Sequence, residues 1–457
     1  MRYHLLTQGC QMNVSESLWL AQALENRGWR QAPEDQAQVF VLNTCSVRDK
    51  PEQKVYSILG RLARYCRQDP QAFVAVGGCV AQQVGQDFWR RFPHVRLVFG
   101  PDGVGSVPDC LQRLLQEPGL RLSLLDFSEH YPERSREFAS RFTPAQAYVN
   151  IMQGCDNFCA YCIVPYTRGR QRSRQSQEVI KECQDLVRRG VKEINLLGQN
   201  VNSYGLDSSA DGVTFVQLLH RVCAIPGLQR VRFTTSHPKD IPGELIQAFG
   251  SLPNLCPGLH LPLQSGSNKV LYSMGRKYTR QQYLWIVQEL RRHCPHLALS
   301  TDLIVGFPGE EEADFQQTMD MVGEVGFSSS FCFKYCDRPG VRAASFQGKL
   351  SEEVKSRRLQ ELQALQEEIT ARDLQEQVGR RLEILVEGSS SRQQAGEAWQ
   401  WKGREPGGRV VNFSWGLQED LHGCLLQVRI KEAKKHSLWG EVIQQYDRNE
   451  DIRLGPG

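Results

Sequence analysis

AYVNIMQGCDNFCAYC, residues 147 to 162, joins an apolar, strand-like run to three cysteines, Cys155, Cys159 and Cys162, in the spacing C-x3-C-x2-C, and no further cysteine follows until Cys183. Thiolate is a soft ligand suited to iron–sulfur clusters and to zinc. Structural zinc sites present two short pairs of ligands, so a trio at the end of a strand fits zinc less well. A trio can hold three irons of a four-iron cube and leave the fourth open to a small molecule. Read alone, it also fits a structural cluster or a chance loop.

Working outward, the runs EINLLGQN, VRFTTSHP, GLHLPLQSG, LSTDLIVGFPG and SFCFKYC continue the series, with helical apolar spacing between them in SQEVIKECQDLVRRG and RQQYLWIVQELRRHC. Six strand–helix units predict an α/β domain at 141–373, a partial (β/α)6 version of the eight-unit barrel, with its chemistry at the C-terminal strand ends. Upstream, YHLLTQGC, VFVLNTC and FVAVGGC end at Cys10, Cys45 and Cys79. They recur about every 35 residues, near the roughly 30-residue size of a strand–helix–strand unit. This predicts a parallel α/β sheet over 1–120 with the three thiols on one edge. Residues 351–377 have the apolar spacing of one charged helix leading out of the barrel. Beyond Gly379, alternating runs between glycine turns predict a small antiparallel β-barrel over 376–444. The last dozen residues are expected to be a mobile tail.

The chain's 457 residues are too many for one core. With 40% hydrophobic and 23% charged residues, and no export signal or bilayer-length apolar run, it is expected to be cytoplasmic with no membrane partner. In that setting its 15 cysteines suggest reduced thiols, metal ligands or core packing rather than disulfides. A net charge of +4 does not identify a nucleic-acid partner, so the placement of the basic residues matters more.

With Tyr161 as the aromatic, the trio matches C-x3-C-x-aromatic-C and resembles the signature of the radical S-adenosylmethionine enzymes. Over nearly the whole chain, TQGCQMNVSES, NTCSVRDK, GGCVAQ, IMQGCDNFCAYCIVPYTRGRQRSR, LLGQNVNSY, TSHP, LPLQSGSN and TDLIVGFPGEEEADF resemble the methylthiotransferases among them. The resemblance implies two 4Fe-4S clusters, one on Cys155, Cys159 and Cys162 that binds S-adenosylmethionine, and an auxiliary one on Cys10, Cys45 and Cys79 that carries a sulfur. It places Gly198, Gln199 and Asn200 near the methionine moiety, Ile304 against adenine and Gly306 at a close backbone approach, and it counts Tyr161 among the cofactor-binding residues. No catalytic side chain beyond the cluster ligands is implied.

GCQMN and NTCSVR point to the branch that methylthiolates C2 of N6-isopentenyladenosine next to the anticodon in tRNA, using two S-adenosylmethionine molecules. The alternatives are the branches acting on threonylcarbamoyladenosine in tRNA or on a ribosomal-protein aspartate, and, in another class, a non-catalytic iron–sulfur RNA-binding protein. The C-terminal barrel resembles the RNA-binding TRAM module. Implied partners are the tRNA anticodon loop and an external electron donor such as flavodoxin or ferredoxin, with the sulfur donor unassigned; one chain is expected to act as a monomer.

Phosphate contacts are expected from Arg168, Arg170, Arg172 and Arg174, a run without a nearby acid in sequence, and from Lys434 and Lys435 beside Arg429, Lys431 and His436. Trp399, Trp401, Phe413 and Trp415 are read as barrel core in preference to base-stacking platforms. Gln171 stands where the family commonly has glutamate, and Cys336 and Val341 stand where it has serine and threonine.

Overall fold

The computed structural model describes residues 1–46, 51–132, 145–390, 399–416 and 420–445; the expected C-terminal tail lies outside them. The first domain is a six-stranded, wholly parallel sheet. Its order is Arg30–Gln31, Arg2–Thr7, Val39–Thr44, Phe73–Gly78, Val95–Phe99 and Leu122–Leu124. Every residue of Val39–Thr44 and Phe73–Gly78 is buried. That is what a parallel sheet covered on both faces requires, and one apolar cluster lies on each side of it. The sheet runs slightly past residue 120, to the edge strand Leu122–Leu124, which at three residues is too short for its pattern to be read from sequence.

Parallel pairing puts all three C-terminal ends on one edge. Cys10 caps the helix Gln11–Asn26, Cys45 directly follows Val39–Thr44, and Cys79 opens the helix Cys79–Val84. Two glycines let these ends close up. A Cβ on Gly9 would lie 2.4 Å from Cys45 Cβ, and one on Gly78, at φ +89°, would lie 2.1 Å from the Thr44 carbonyl. Buried side chains tie the loops together: the Asn13 amide donates to Asn43 Oδ1 at 3.0 Å and to the Thr44 carbonyl at 3.1 Å, and the Asn43 amide donates to the Asn13 carbonyl at 3.1 Å.

The second domain has the six expected parallel strands, in two arrays of three. Glu193–Leu197 lies between Gln146–Asn150 and Arg230–Thr234, and Ala298–Val305 lies between Gly258–His260 and Ser329–Lys334. The arrays meet through a single parallel bridge, Val231 with Leu255. Pro257 and Pro262, which lack an N–H, bracket the short Gly258–His260 strand and interrupt the ladder there. Met152–Gln153 pairs antiparallel with Arg172–Ser173 and closes the cysteine loop at its base.

The helix Glu352–Gln375, capped by Ser351, leads to a closed five-stranded barrel. The expectation of an antiparallel barrel needs one correction. Val410–Trp415 pairs in parallel with Leu438–Gln445, because the intervening strand Leu425–Ala433 reaches the far side of the barrel to pair with Arg381–Ser389. Trp401 and Phe413 fill its core and Trp415 packs against it, whereas Trp399 is 52% exposed.

Candidate active site

The sheet edge of the first domain sits over the mouth of the second. All six cysteines, Cys10, Cys45, Cys79, Cys155, Cys159 and Cys162, line one cavity of about 380 Å³ between them. Buried interdomain contacts fix this alignment. Arg168 pairs with Glu16 at 2.9 Å and Arg172 with Asp102 at 2.7 Å; Gln199 reaches Met12, Gln153 reaches Asp102, and Arg338 reaches the Ser46 carbonyl.

The Cys155–Cys162 loop is held by backbone bonds from several segments. Gly154 N–H donates to Gln199 Oε1 at 2.6 Å, Cys155 N–H to the Gly169 carbonyl at 3.3 Å, and Ala160 N–H to the Met274 carbonyl at 2.8 Å. Burial is the main cause that pushes the Cys155 thiol up to about 11 and the Cys162 thiol up to about 12, and the neighbouring Cys159 adds to both. At the other triplet a hydrogen bond with Cys45 brings Cys10 down to about 6; burial opposes the shift and Arg168 assists it.

The donor set and its surroundings suit a cluster with a vacant iron. Among the described residues no three His, Cys, Asp or Glu side chains gather at the spacing of a single metal ion. Arg276, 4% exposed, donates to Cys159 Sγ at 3.5 Å, to the Pro262 carbonyl at 2.9 Å and to Tyr278 at 3.1 Å. Its described partners include no carboxylate. A buried cation requires an anion, and a thiolate-ligated cluster or a ligand carboxylate supplies one.

Thr235 Oγ1, Ser236 Oγ, His237 Nε2 and Gln264 Oε1 are buried on the cavity wall without hydrogen-bond partners. Buried polar groups are normally satisfied, so four orphans on one wall match a polar ligand such as S-adenosylmethionine. Burial lowers the His237 pKa and keeps the ring neutral, and its Nδ1 accepts from Lys239 N–H at 3.2 Å. The proton therefore sits on Nε2.

Residues 149–322 match the Radical SAM superfamily, and residues 2–100 match a family described as "Uncharacterized protein family UPF0004". The tRNA-2-methylthio-N(6)-dimethylallyladenosine synthase of Nitratidesulfovibrio vulgaris is 57% identical to this chain, covering 96% of it and 98% of the relative. The chain belongs to the tRNA-2-methylthio-N(6)-dimethylallyladenosine synthase family. Members with the same name from Oleidesulfovibrio alaskensis and Lawsonia intracellularis are 54% and 50% identical, each over 96% of this chain and 98% of the relative. Among solved structures, a radical S-adenosylmethionine methyltransferase, TsrM, from Kitasatospora setae, with cobalamin and a [4Fe-4S] cluster bound, shares the fold. Its TM-score is 0.54 at 13% identity, covering 75% of this chain and 73% of that one.

Within the synthase family's architecture, Tyr161, Gly198, Gln199 and Ile304 line the cavity, whereas Asn200 and Gly306 do not. Asn200 is buried with its amide on Asp240 at 2.8 Å. Gly306 leaves room for Lys355, whose Cγ would lie 2.4 Å from an added Cβ.

The arginine run also needs correction. Arg168 and Arg172 are buried in ion pairs and Arg174 bonds Glu182 at 2.7 Å with 11% of its side chain exposed, so burial withholds these three from a phosphate. Arg170, 73% exposed and paired with Asp156, faces outward, as do Lys434 and Lys435. Gln171 donates to Asp207 at 3.1 Å, a bond that an ionised glutamate at this position could not make. Cys336 lines the cavity, and Val341 is buried before the turn Arg342–Ser345. Sequence reasoning missed Arg276 and the orphan set. The available signal was the polar run directly after the strand in TSHP and in LPLQSG.

Proposed function

We infer that this protein methylthiolates C2 of N6-isopentenyladenosine next to the anticodon in tRNA, giving 2-methylthio-N6-isopentenyladenosine. The observation that carries the reading is that two thiol triplets from different domains open into one cavity, within a family whose members bear that activity in their name. The C2–H bond is neither acidic nor next to a leaving group, so side-chain acid–base catalysis does not open it. Two 4Fe-4S clusters and S-adenosylmethionine, when bound, supply the radical and sulfur-transfer chemistry that replaces this hydrogen.

The chain's own residues position and exclude. Cys155, Cys159 and Cys162 would hold one cluster and Cys10, Cys45 and Cys79 the other. Arg276 supplies counter-charge beside Cys159, while Thr235, Ser236, His237 and Gln264 supply hydrogen bonds to S-adenosylmethionine. Leu197, Ile304 and Phe333 exclude water from the same wall. A second cavity of about 810 Å³ lies between the inner barrel wall and the C-terminal barrel and shares Gln11, Thr234 and His260 with the first. His260 is held there by Ser300 at 3.0 Å and Asp302 at 3.3 Å. This cavity offers an approach for a base swung out of its stack.

Arg170, Lys434 and Lys435, exposed and each paired with a carboxylate, would meet tRNA phosphates. An external carrier such as flavodoxin or ferredoxin supplies electrons. Both triplets belong to one chain, so a monomer suffices. Among the described residues no helix is long and apolar enough to cross a membrane.

Anaerobic reconstitution followed by nucleoside mass spectrometry tests the reading. The protein should take up about eight irons, from two four-iron clusters. It should release 5'-deoxyadenosine with a reductant and add a methylthio group to isopentenylated tRNA. Uptake of zinc only, no nucleoside release, or modification confined to threonylcarbamoyladenosine or a protein substrate would sink it.

A further inference from the structure

Arg168 ends the short helix Val164–Arg168, which packs on the helix that Cys79 opens. Its Nη1 donates to Glu16 Oε1 at 2.9 Å, and the two side chains are 3% and 0% exposed. The Asn43 amide also bonds Glu16, at 3.5 Å. An interdomain ion pair accounts for Nη1 alone. Nη2 is buried without any partner, and Arg168 lines the cysteine cavity. After Glu16, the groups whose charge acts most strongly on this guanidinium are Cys79 and Cys10. An unmatched N–H on a buried guanidinium is costly, and the sulfurs of Cys10 and Cys79 are among the acceptors that line the same cavity.

We propose that Arg168 is a positioning residue of the N-terminal triplet: Nη2 donates a hydrogen bond to an anionic sulfur held at the Cys10, Cys45 and Cys79 site, and Glu16 orients the guanidinium for it. This rests on the reading that a cluster occupies that triplet. The sulfur is either an exogenous one bound at the site or one of the cluster's own.

The full-length reconstituted protein separates these cases. It is titrated with methanethiolate while S-adenosylhomocysteine occupies the other site, and the N-terminal cluster is followed by electron paramagnetic resonance and potentiometry. The Glu16→Gln/Arg168→Gln double variant removes both buried charges together, and Arg168→Lys keeps the charge but loses the planar fork. Both should retain about eight irons and native-like melting. Methanethiolate affinity should fall roughly tenfold or more in the double variant, the size expected for a hydrogen bond to a charged group. It should fall by less in Arg168→Lys.

A changed line shape and reduction potential at unchanged affinity would support the proposal with the cluster's own sulfur as acceptor. Unchanged affinity, line shape and potential would overturn it and leave Arg168 as an interdomain ion pair. If the double variant does not fold, Arg168→Lys alone decides by the same readings. Wild-type protein with well under about eight irons would fault the two-cluster reading instead.

Discussion

The two thiol triplets meet in one cavity yet are built in opposite ways. Cys155, Cys159 and Cys162 share one loop, whereas Cys10, Cys45 and Cys79 come from three strand ends that meet only when the parallel sheet is complete. Their electrostatics differ as well. Burial drives Cys155 and Cys162 up to about 11 and 12, while the Cys45 hydrogen bond brings Cys10 down to about 6 against its burial, with Arg168 assisting. Like donor sets therefore stand in unlike electrostatic settings on one cavity.

The largest test of this contrast is to remove the ligands. Alanine at Cys155, Cys159 or Cys162 should abolish both 5'-deoxyadenosine release and methylthio transfer. Alanine at Cys10, Cys45 or Cys79 should abolish transfer but leave some cleavage of S-adenosylmethionine. Complete loss of cleavage in the second set would erase the division of roles.

Next come the glycines that let each triplet close. A Cβ at Gly78 would strike the Thr44 carbonyl at 2.1 Å and one at Gly154 the Arg170 carbonyl at 2.0 Å, both at positive φ. Gly78→Ala should leave about four irons, on the Cys155 loop, and Gly154→Ala about four on the N-terminal site. Resonance spectra would show which cluster survives, and loss of the same cluster from both variants would contradict independent assembly.

The registration between triplets rests partly on Arg172 and Asp102. Asp102→Ala leaves a buried cation unpaired and should cost about 3–5 kcal/mol in chemical denaturation. Iron content should stay intact while methylthio transfer falls more than cleavage. An equal fall in both activities would show that the interface does more than align the two sites.

The smallest expected effect is in the metal-free protein. Cys10, brought down to about 6, is largely thiolate at neutral pH and should be alkylated before Cys155 and Cys162. Its rate should drop as pH falls below about 6, and mass spectrometry of the labelled peptides would detect equal rates if the contrast were false.

Legibility from sequence followed contact range. The Cys155–Cys162 trio and the helix Glu352–Gln375 could be read directly because their determinants lie within a few residues. The N-terminal thiols were readable through periodicity, since parallel strands of one sheet end on one edge. The arginine run was misread because its acids are distant in sequence: Glu16 for Arg168 and Asp102 for Arg172 belong to the other domain. Gly306 also gives clearance to Lys355, which a local pattern does not reveal. The parallel pair in the C-terminal barrel was hidden for the same reason, since strand direction depends on where the chain crosses the barrel.

From the sequence alone came the donor chemistry, the strand–helix alternation and hence the existence of two sites, because ligand type and apolar period are local properties. Tertiary structure decided that the two thiol triplets share one cavity, which arginines turn inward, and which buried polar atoms stand without protein partners. Those outcomes depend on burial and ion pairing between residues remote along the chain, where desolvation rather than local preference selects the arrangement.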